Sequence, residues 1–138
     1  MSRAVQHWLL KSEPDVYSWD DLVKDGDTVW NGVRNNAARL HLRAMAQGDE
    51  AFFYHSNIGK EVVGLCRIVK AAFPDPTDET GAWVAVQVAP VRKLAQPVTL
   101  AAMKAEASLR DFALIRQSRL SVVPVSDAQW AIILRMAG

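Results

Sequence analysis

The chain has 138 residues, half of them apolar and 22% charged, and its formal net charge is only +1. This composition is typical of one globular domain, and it argues against a disordered chain and against nucleic-acid binding through the charge of the whole surface. The single cysteine, Cys66, excludes an intramolecular disulfide and a multi-cysteine zinc site, so we expect a reducing, cytoplasmic location.

In the first half of the chain, strands are predicted to alternate with short helices. Ser18 and Asp21 form a capping box that predicts the start of a helix, and Gly26 predicts its end. The Asn31-Gly32 pair predicts a tight turn between a brief strand and the next helix. In chain order the predicted elements are strand 5–11, helix 18–26, strand 28–30 and helix 36–48.

The second half is predicted to contain long strands followed by helices. Runs rich in Val predict the strands, and Ser-x-x-Asp or Ser-x-x-Gln boxes at Ser108 and Ser126 predict two helix starts. The segment FPDPTDETG is predicted to be a solvent loop. The predicted elements are strands 50–56, 61–73 and 82–94, helices 99–107 and 108–117, strand 119–125 and a final helix from residue 126.

These elements predict an α+β fold with a curved, mainly antiparallel sheet and short peripheral helices. Strands this long in so small a chain favour curling into a barrel, because that hides the sheet edges. No linker, repeat or low-complexity segment divides residues 1–138, so we expect a single domain.

Motifs for catalysis are absent from the sequence. It has no phosphate-binding loop, no dinucleotide glycine pattern and no Gly-x-Ser-x-Gly elbow. The three histidines are too scattered for a metal motif, and Cys66 lies in an apolar run typical of a buried strand. We therefore predict no catalytic residue, no metal and no cofactor.

Polar and aromatic side chains cluster where predicted strands end. If these strand ends meet at one rim of a barrel, they form a cleft suited to a flat, hydrogen-bonding ligand. The candidate site residues are Lys11, Ser12, Glu13, Trp30, Arg34, Asn35, Tyr54, His55, Ser56, Arg119 and Ser121.

Each candidate also has a structural interpretation. Trp30 is a natural core residue, Asn35 is a natural helix cap, and His55 is compatible with a hydrogen-bonded position at a barrel rim. Arg119 is compatible with a surface ion pair. Only the concentration of these residues at strand ends favours a binding site.

Five segments in fixed order resemble the EVE domain family, a branch of the PUA-like superfamily that is similar in architecture to the YTH readers of modified RNA. The resemblance implies a five- or six-stranded pseudobarrel, with a pocket for a modified nucleobase built from the candidate residues above. It implies modified cytosines in DNA, such as 5-methylcytosine, as ligands, with modified RNA bases as a second possibility. The matching segments are WLLKSEPDVYSWDDL, WNGVRNNAAR, LRAMAQGDEAFFYHSN, VVGLCRIVKAAFPDPT and RQSRLSVVPVS.

The chain departs from the family pattern at two places. Asn36, Ala37 and Leu40 replace residues that are usually an aromatic, a Gln and an Asn, and the loop after FPDP is shorter than in many relatives. Both departures lie in regions that contribute to the rim of the family's pocket, so they bear on the identity of the ligand.

We therefore expect a monomeric, non-enzymatic module that binds a flipped or unpaired base in modified DNA or RNA. Trp30 would be the stacking wall, and the polar readers would be Asn35, Tyr54, His55, Ser12 and Ser121. One alternative is a small enzyme acting on a nucleotide-like substrate with His55 as general base and Lys11 or Glu13 nearby. Another is a small-molecule or partner-binding domain. The phosphate contacts would come from Arg34, Arg39, Arg43, Arg116 and Arg119.

Overall fold

Six strands form one mixed sheet in the computed structural model, which describes residues 4–138. The strand order is β2-β5-β4-β3-β1-β6. Only the β1–β3 pairing is parallel, and the other four are antiparallel. The strands are β1 (His7–Ser12), β2 (Thr28–Trp30), β3 (Glu50–His55), β4 (Glu61–Pro74), β5 (Val84–Thr99) and β6 (Val122–Val125).

Five short α-helices and one 3₁₀ turn (Ala107–Leu109) accompany this sheet in the described part of the chain. Both capping boxes predicted for α1 and α5 are present, at Ser18 with Asp21 and at Ser126 with Gln129. The helices are α1 (Trp19–Asp25), α2 (Asn36–Ala44), α3 (Leu100–Ala105), α4 (Ala113–Arg116) and α5 (Asp127–Met136).

The predicted α+β fold, with a curved and mainly antiparallel sheet and short peripheral helices, is confirmed. Strands β4 and β5 are 14 and 16 residues long, and their pairing shifts register at four places, which bends and twists long strands. Strands β2 and β6 remain the two edges of the sheet, with no backbone pairing between them. The sheet therefore curls without closing, and its two edges are available to border a cavity.

Three predicted element boundaries were wrong. Helix α2 ends at Ala44 and not near Gly48, because the buried Asp49 carboxylate accepts a hydrogen bond from the Ala46 amide at 2.9 Å and fixes a turn. Strand β5 continues to Thr99, five residues beyond its predicted end, because it keeps pairing with β4 as far as Glu61. The final strand begins at Val122, three residues later than predicted.

The predicted capping box at Ser108 and Asp111 is also wrong. The Glu106 carboxylate accepts hydrogen bonds from the Ser108 amide at 3.3 Å and from its hydroxyl at 2.6 Å. This competing interaction produces a 3₁₀ turn, and α4 then begins after Phe112 without a side-chain cap.

Three of the five tryptophans lie in the core, and two are only partly buried. Trp8, Trp19 and Trp130 are buried, whereas Trp30 and Trp83 are half-buried. Among the described residues, no helix is long and apolar enough to cross a membrane.

Candidate functional site

A cavity of about 530 Å³ lies between the two edges of the curled sheet. Its walls are the end of β1 with the turn that follows, the edge strand β2 with the next turn, and the residue that precedes β6. We call it the Trp30 cavity. Its lining residues are Lys11, Ser12, Glu13, Val16, Tyr17, Thr28, Val29, Trp30, Asn31, Gly32, Val33, Arg34 and Ser121.

Trp30 supplies the aromatic wall of this cavity. Its ring meets Phe53 at 5.6 Å and Tyr17 at 6.5 Å between centroids, both in edge-to-face geometry. These contacts orient the indole, and no aromatic ring of residues 4–138 stacks parallel on it. Trp30, which is half-buried, therefore contributes an aromatic surface to the cavity.

The turn after Trp30 is held by Asp75, which comes from the loop between β4 and β5. Asp75 is 1% exposed, and its Oδ2 accepts hydrogen bonds from the Gly32 amide at 2.8 Å and from Arg34 Nη1 at 3.0 Å. Its Oδ1 accepts from the amide and hydroxyl of Thr77 at 2.7 and 2.6 Å. Burial alone would raise the pKa of Asp75, but the hydrogen bonds from Thr77, Gly32 and Arg34 hold it well below its ordinary value.

Gly32 must adopt a left-handed conformation in this turn, with φ of +78°. A side chain at this position would be strained, whereas glycine is not. The conformation presents the Gly32 amide to Asp75, so the turn and the buried carboxylate together position Arg34 at the cavity wall.

The opposite wall is fixed at the end of β1. The Lys11 amide donates to the Ser121 carbonyl at 3.0 Å, and Lys11 Nζ donates to the Ser118 carbonyl at 2.8 Å. Burial lowers the pKa of the Lys11 ammonium. Ser12 Oγ donates to the Tyr17 carbonyl at 2.6 Å, so this hydroxyl shapes the turn and its proton is not free for a ligand.

Six of the eleven predicted site residues line the Trp30 cavity. They come from β1 and its following turn, from β2 and its following turn, and from the residue that precedes β6. The six are Lys11, Ser12, Glu13, Trp30, Arg34 and Ser121.

The other five predicted residues do not line this cavity. Asn35 caps α2 by accepting from the Ala38 amide at 2.9 Å, and Tyr54 is buried, 3% exposed, one position from Phe53 and therefore on the opposite face of β3. His55 Nε2 accepts from the Trp19 amide at 3.1 Å. The amide of Ser56 donates to the Ser12 carbonyl at 2.9 Å, and Arg119 lies in a separate groove.

That separate groove, which we call the Arg119 groove, has a volume of about 360 Å³. It lies between the start of α2 and the segment that joins α4 to β6. Its lining residues are Asn35, Ala37, Arg116, Gln117, Ser118, Arg119 and Leu120.

Sequence reasoning missed Asp75 and the turn residues Val16 and Tyr17. Asp75 lies in a segment that was predicted to be a solvent loop. An Asp followed two residues later by Thr does indicate a local side-chain turn. Nothing local indicates that its carboxylate is buried against a turn more than 40 positions away.

The general base of the enzymatic alternative, His55, is engaged in the fold, and so is the single thiol, Cys66. The Nε2 of His55 already accepts a hydrogen bond, and burial lowers its pKa. Cys66 is fully buried, burial raises its pKa to about 12, and its Sγ lies 3.5 Å from the Ala51 carbonyl. Within residues 4–138, no group of His, Cys, Asp or Glu side chains is arranged to hold a metal ion.

The curled, mainly antiparallel sheet, with a cavity between its two edges that Trp30 lines, places this fold in the class of PUA-like domains. The sequence model of the EVE domain matches residues 6–136, and the chain belongs to the EVE domain family.

The relatives of this chain include human thymocyte nuclear protein 1. That protein is 34% identical over an alignment covering 94% of this chain and 73% of the human protein. Among solved structures, Rpa0253 from Rhodopseudomonas palustris has 51% identity and a TM-score of 0.93, covering 97% of this chain and 94% of that one. Human THYN1, solved in complex with 5-methylcytosine-containing DNA, has 34% identity and a TM-score of 0.89, covering 96% of this chain and 97% of the human one.

Proposed function

We propose that this protein is a non-enzymatic module that binds modified cytosine in DNA, with 5-methylcytosine as the first candidate. The observation that carries the proposal is the Trp30 cavity, where an indole ring and polar groups face one space of about 530 Å³. This volume lies within the range of about 300 to 1,000 Å³ that is typical of small-ligand pockets. The human family member solved with 5-methylcytosine-containing DNA supports the choice of ligand.

The base would have to leave the DNA stack to enter the cavity. Flipping a paired base costs a few kcal/mol, and an already unpaired base avoids most of that cost. Stacking on an aromatic side chain contributes about 1 to 3 kcal/mol per base. We therefore propose that the protein, as a monomer, binds single-stranded or mismatched sites more readily than fully paired ones.

Ser121 and Glu13 are the polar readers that we propose for this cavity. Both line it, and neither side chain has a hydrogen bond to another of residues 4–138. A carboxylate can accept a hydrogen bond from the N4 amino group of cytosine, as it does when protein side chains read cytosine in DNA. A methyl group on the base would add about 0.8 kcal/mol if it contacts an apolar patch, so the preference for the methylated base should be only about fourfold.

Binding of matched oligonucleotides tests the proposal. Short DNA and RNA strands carrying one cytosine or one 5-methylcytosine, single-stranded and paired, would be titrated with the protein and followed by fluorescence anisotropy. We expect the 5-methylcytosine DNA strand to bind about fourfold more tightly than the cytosine strand. Equal affinity for all strands would contradict the proposal, and a preference for the RNA strands would redirect it to RNA.

Variants of the cavity separate binding from folding. Trp30→Ala should weaken binding of the methylated strand by about tenfold, because it removes the stacking surface. Ser121→Ala should weaken it while leaving the melting temperature unchanged, since no other described residue depends on its hydroxyl. Ser56→Ala, a serine outside both the cavity and the groove whose hydroxyl has no hydrogen bond to another of residues 4–138, is the matched control. If a folded Trp30→Ala variant binds the methylated strand as tightly as wild type does, the base does not enter this cavity.

A further inference from the structure

We infer that the Arg119 groove holds the phosphodiester backbone of the same DNA strand whose base enters the Trp30 cavity. This inference rests on the proposed function and adds to it the path of the strand across the protein. The sequence offered Arg119 both as a pocket residue and as a phosphate contact, and the inference assigns it to the phosphate, in a groove apart from the base cavity.

The two spaces adjoin each other at three places. Arg34 lines the Trp30 cavity and Asn35, the next residue, lines the Arg119 groove. Leu120 lines the groove and Ser121 lines the cavity. Lys11, in the cavity wall, donates from Nζ to the carbonyl of Ser118 in the groove at 2.8 Å. A strand with one base in the cavity therefore has its backbone beside the groove.

Two other arginines that the sequence offered for phosphate contacts are already engaged. Arg34 donates hydrogen bonds from Nη1 to Asp75 Oδ2 at 3.0 Å and from Nη2 to Thr77 Oγ1 at 3.1 Å. Arg39 donates hydrogen bonds to the Ala82 carbonyl at 3.0 Å and to Asn36 Oδ1 at 2.9 Å. Its guanidinium also lies 4.6 Å from the centre of the Trp83 ring. Arg34 holds the loop between β4 and β5 against the turn before α2, and Arg39 holds it against α2 itself, so a phosphate would have to compete with contacts that stabilise the fold.

Arg119, which lines the groove, is not engaged in this way. Arg119 is exposed, and its guanidinium has no ion pair or hydrogen bond with any of residues 4–138. Arg116 is partly oriented, since its Nε donates to the Arg110 carbonyl at 2.8 Å while its Nη2 lies 3.7 Å from an exposed Asp111. None of the seven lining residues is acidic. The groove is therefore a local positive surface on a molecule of nearly zero net charge.

The start of α2 adds donors on the other side of the groove. Ala37, in the first turn of this nine-residue helix, lines the groove. Amides in a first helical turn have no acceptor within the helix, and the positive end of the helix dipole lies there. The Ala38 amide already donates to Asn35 Oδ1 at 2.9 Å, which leaves the amides of Asn36 and Ala37. A phosphate in the groove would meet these two amides on one side and the Arg119 guanidinium on the other, which is the chemistry that binds phosphate in many proteins.

Charge variants of Arg119 test the inference. Arg119→Gln and Arg119→Glu would be compared with wild type and with Arg135→Glu, an exposed arginine of α5 that lines neither space. The probes are single DNA strands carrying cytosine or 5-methylcytosine, titrated at several salt concentrations. We expect Arg119→Gln to weaken binding of both strands by the same factor, about two- to fivefold, and Arg119→Glu to weaken it further. The slope of log affinity against log salt should fall by about one.

The outcomes separate this inference from the proposed function. If wild type prefers the methylated strand but both Arg119 variants bind like wild type with the same salt slope, the groove does not bind the backbone and the proposed function stands. A change in the preference between the two strands would mean that Arg119 reads the base, and losses equal to those of Arg135→Glu would mean that only net charge matters. Either result overturns the inference. If wild type binds both strands equally and Arg119→Gln still weakens both, the groove is supported and base selection fails.

Discussion

Asp75 determines the shape of the Trp30 cavity although it is not one of the lining residues. Its two carboxylate oxygens accept four hydrogen bonds, from Gly32, Arg34 and Thr77, and each oxygen accepts two. A buried charge is stable only when its hydrogen-bonding capacity is met, and here those bonds also fix the turn after Trp30. The cavity wall and the loop between β4 and β5 therefore depend on the same carboxylate.

Asp75→Asn should destabilise the protein and weaken binding together. An amide can accept at only one of its two polar atoms, so two of the four donors lose their acceptor. We expect a loss of about 1 to 3 kcal/mol in the free energy of unfolding, measured by urea denaturation at pH 7, and a weaker affinity for the methylated strand. Glu79→Gln, an exposed change in the same loop at a side chain with no hydrogen bond to another of residues 4–138, is the control and should have a smaller effect on both. A fully stable Asp75→Asn variant with wild-type affinity would contradict this role.

Helix α1 packs on the sheet at a position where β4 has no side chain. A Cβ atom added to Gly64 would lie 2.5 Å from the Trp19 ring of α1, which is closer than such atoms approach in proteins. Gly64 has an ordinary backbone conformation, so this glycine is required by the close approach of the helix and not by its φ angle. The same Trp19 ring meets Phe53 at 5.6 Å, and Phe53 meets Trp30 at 5.6 Å, so the packing of α1 is linked to the aromatic wall of the Trp30 cavity.

Gly64→Ala should therefore cost about 1 to 3 kcal/mol in the free energy of unfolding, because the added methyl overpacks a rigid ring. The measurement is chemical denaturation, repeated in a Trp19→Leu background. In that background the clash is relieved, so Gly64→Ala should cost less than it does in wild type. Equal costs in the two backgrounds would show that the contact with Trp19 is not the cause.

A second contact ties α1 to the sheet through His55 of β3, whose Nε2 must be unprotonated to accept from the Trp19 amide. The pKa of His55 is lowered from 6.5, first by burial and also by Lys93, against opposite effects of Glu61 and Asp20. Because the unfolded chain binds this proton more readily, His55 stabilises the fold fully above pH 6.5, and this contribution is lost as the pH falls through the folded-state pKa.

Lowering the pH from about 7.5 to 5 should destabilise wild type more than the His55→Gln variant, since glutamine provides an acceptor that does not titrate. The measurement is the free energy of unfolding at each pH. His41→Gln is the companion variant, because burial also lowers the pKa of His41. Parallel pH profiles for wild type and His55→Gln would exclude His55 as the titrating group.

Over the whole molecule, positive and negative charges nearly cancel, so any positive surface is confined to one region. The sequence contains sixteen Lys and Arg residues and fifteen Asp and Glu residues, which gives a net charge of +1. A protein of this kind has no general attraction to DNA, so its affinity must come from the cavity and from a few phosphate contacts.

Unmodified duplex DNA should therefore bind weakly and with a shallow dependence on salt. Two or three phosphate contacts would give a slope of about −2 to −3 in log affinity against log salt concentration. Anisotropy titrations between low and physiological salt measure this slope. A slope near −10, as in strongly basic DNA-binding proteins, would contradict binding through so few contacts.

The fold could be predicted from the sequence wherever local patterns determine it. The capping boxes at Ser18 and Ser126, the Asn31-Gly32 turn and the Val-rich strands all appear where local chemistry places them. The Ser108 box failed because Glu106, two residues earlier, offers the Ser108 amide and hydroxyl a carboxylate acceptor that is also local. When two nearby side chains can each form a cap, the spacing of residues alone does not predict which of them does.

Sequence by itself determined the class of the fold, the family and the concentration of polar residues at strand ends, because these depend on local periodicity, caps and motif order. Only the tertiary structure decided which of those residues share a cavity. Side chains alternate along β3, so Tyr54 turns away while Phe53 supports Trp30, and the packing of α1 engages His55. The burial of Asp75 depends on a contact with a distant turn, and such long-range contacts follow from how the sheet curls and leave no local pattern in the chain.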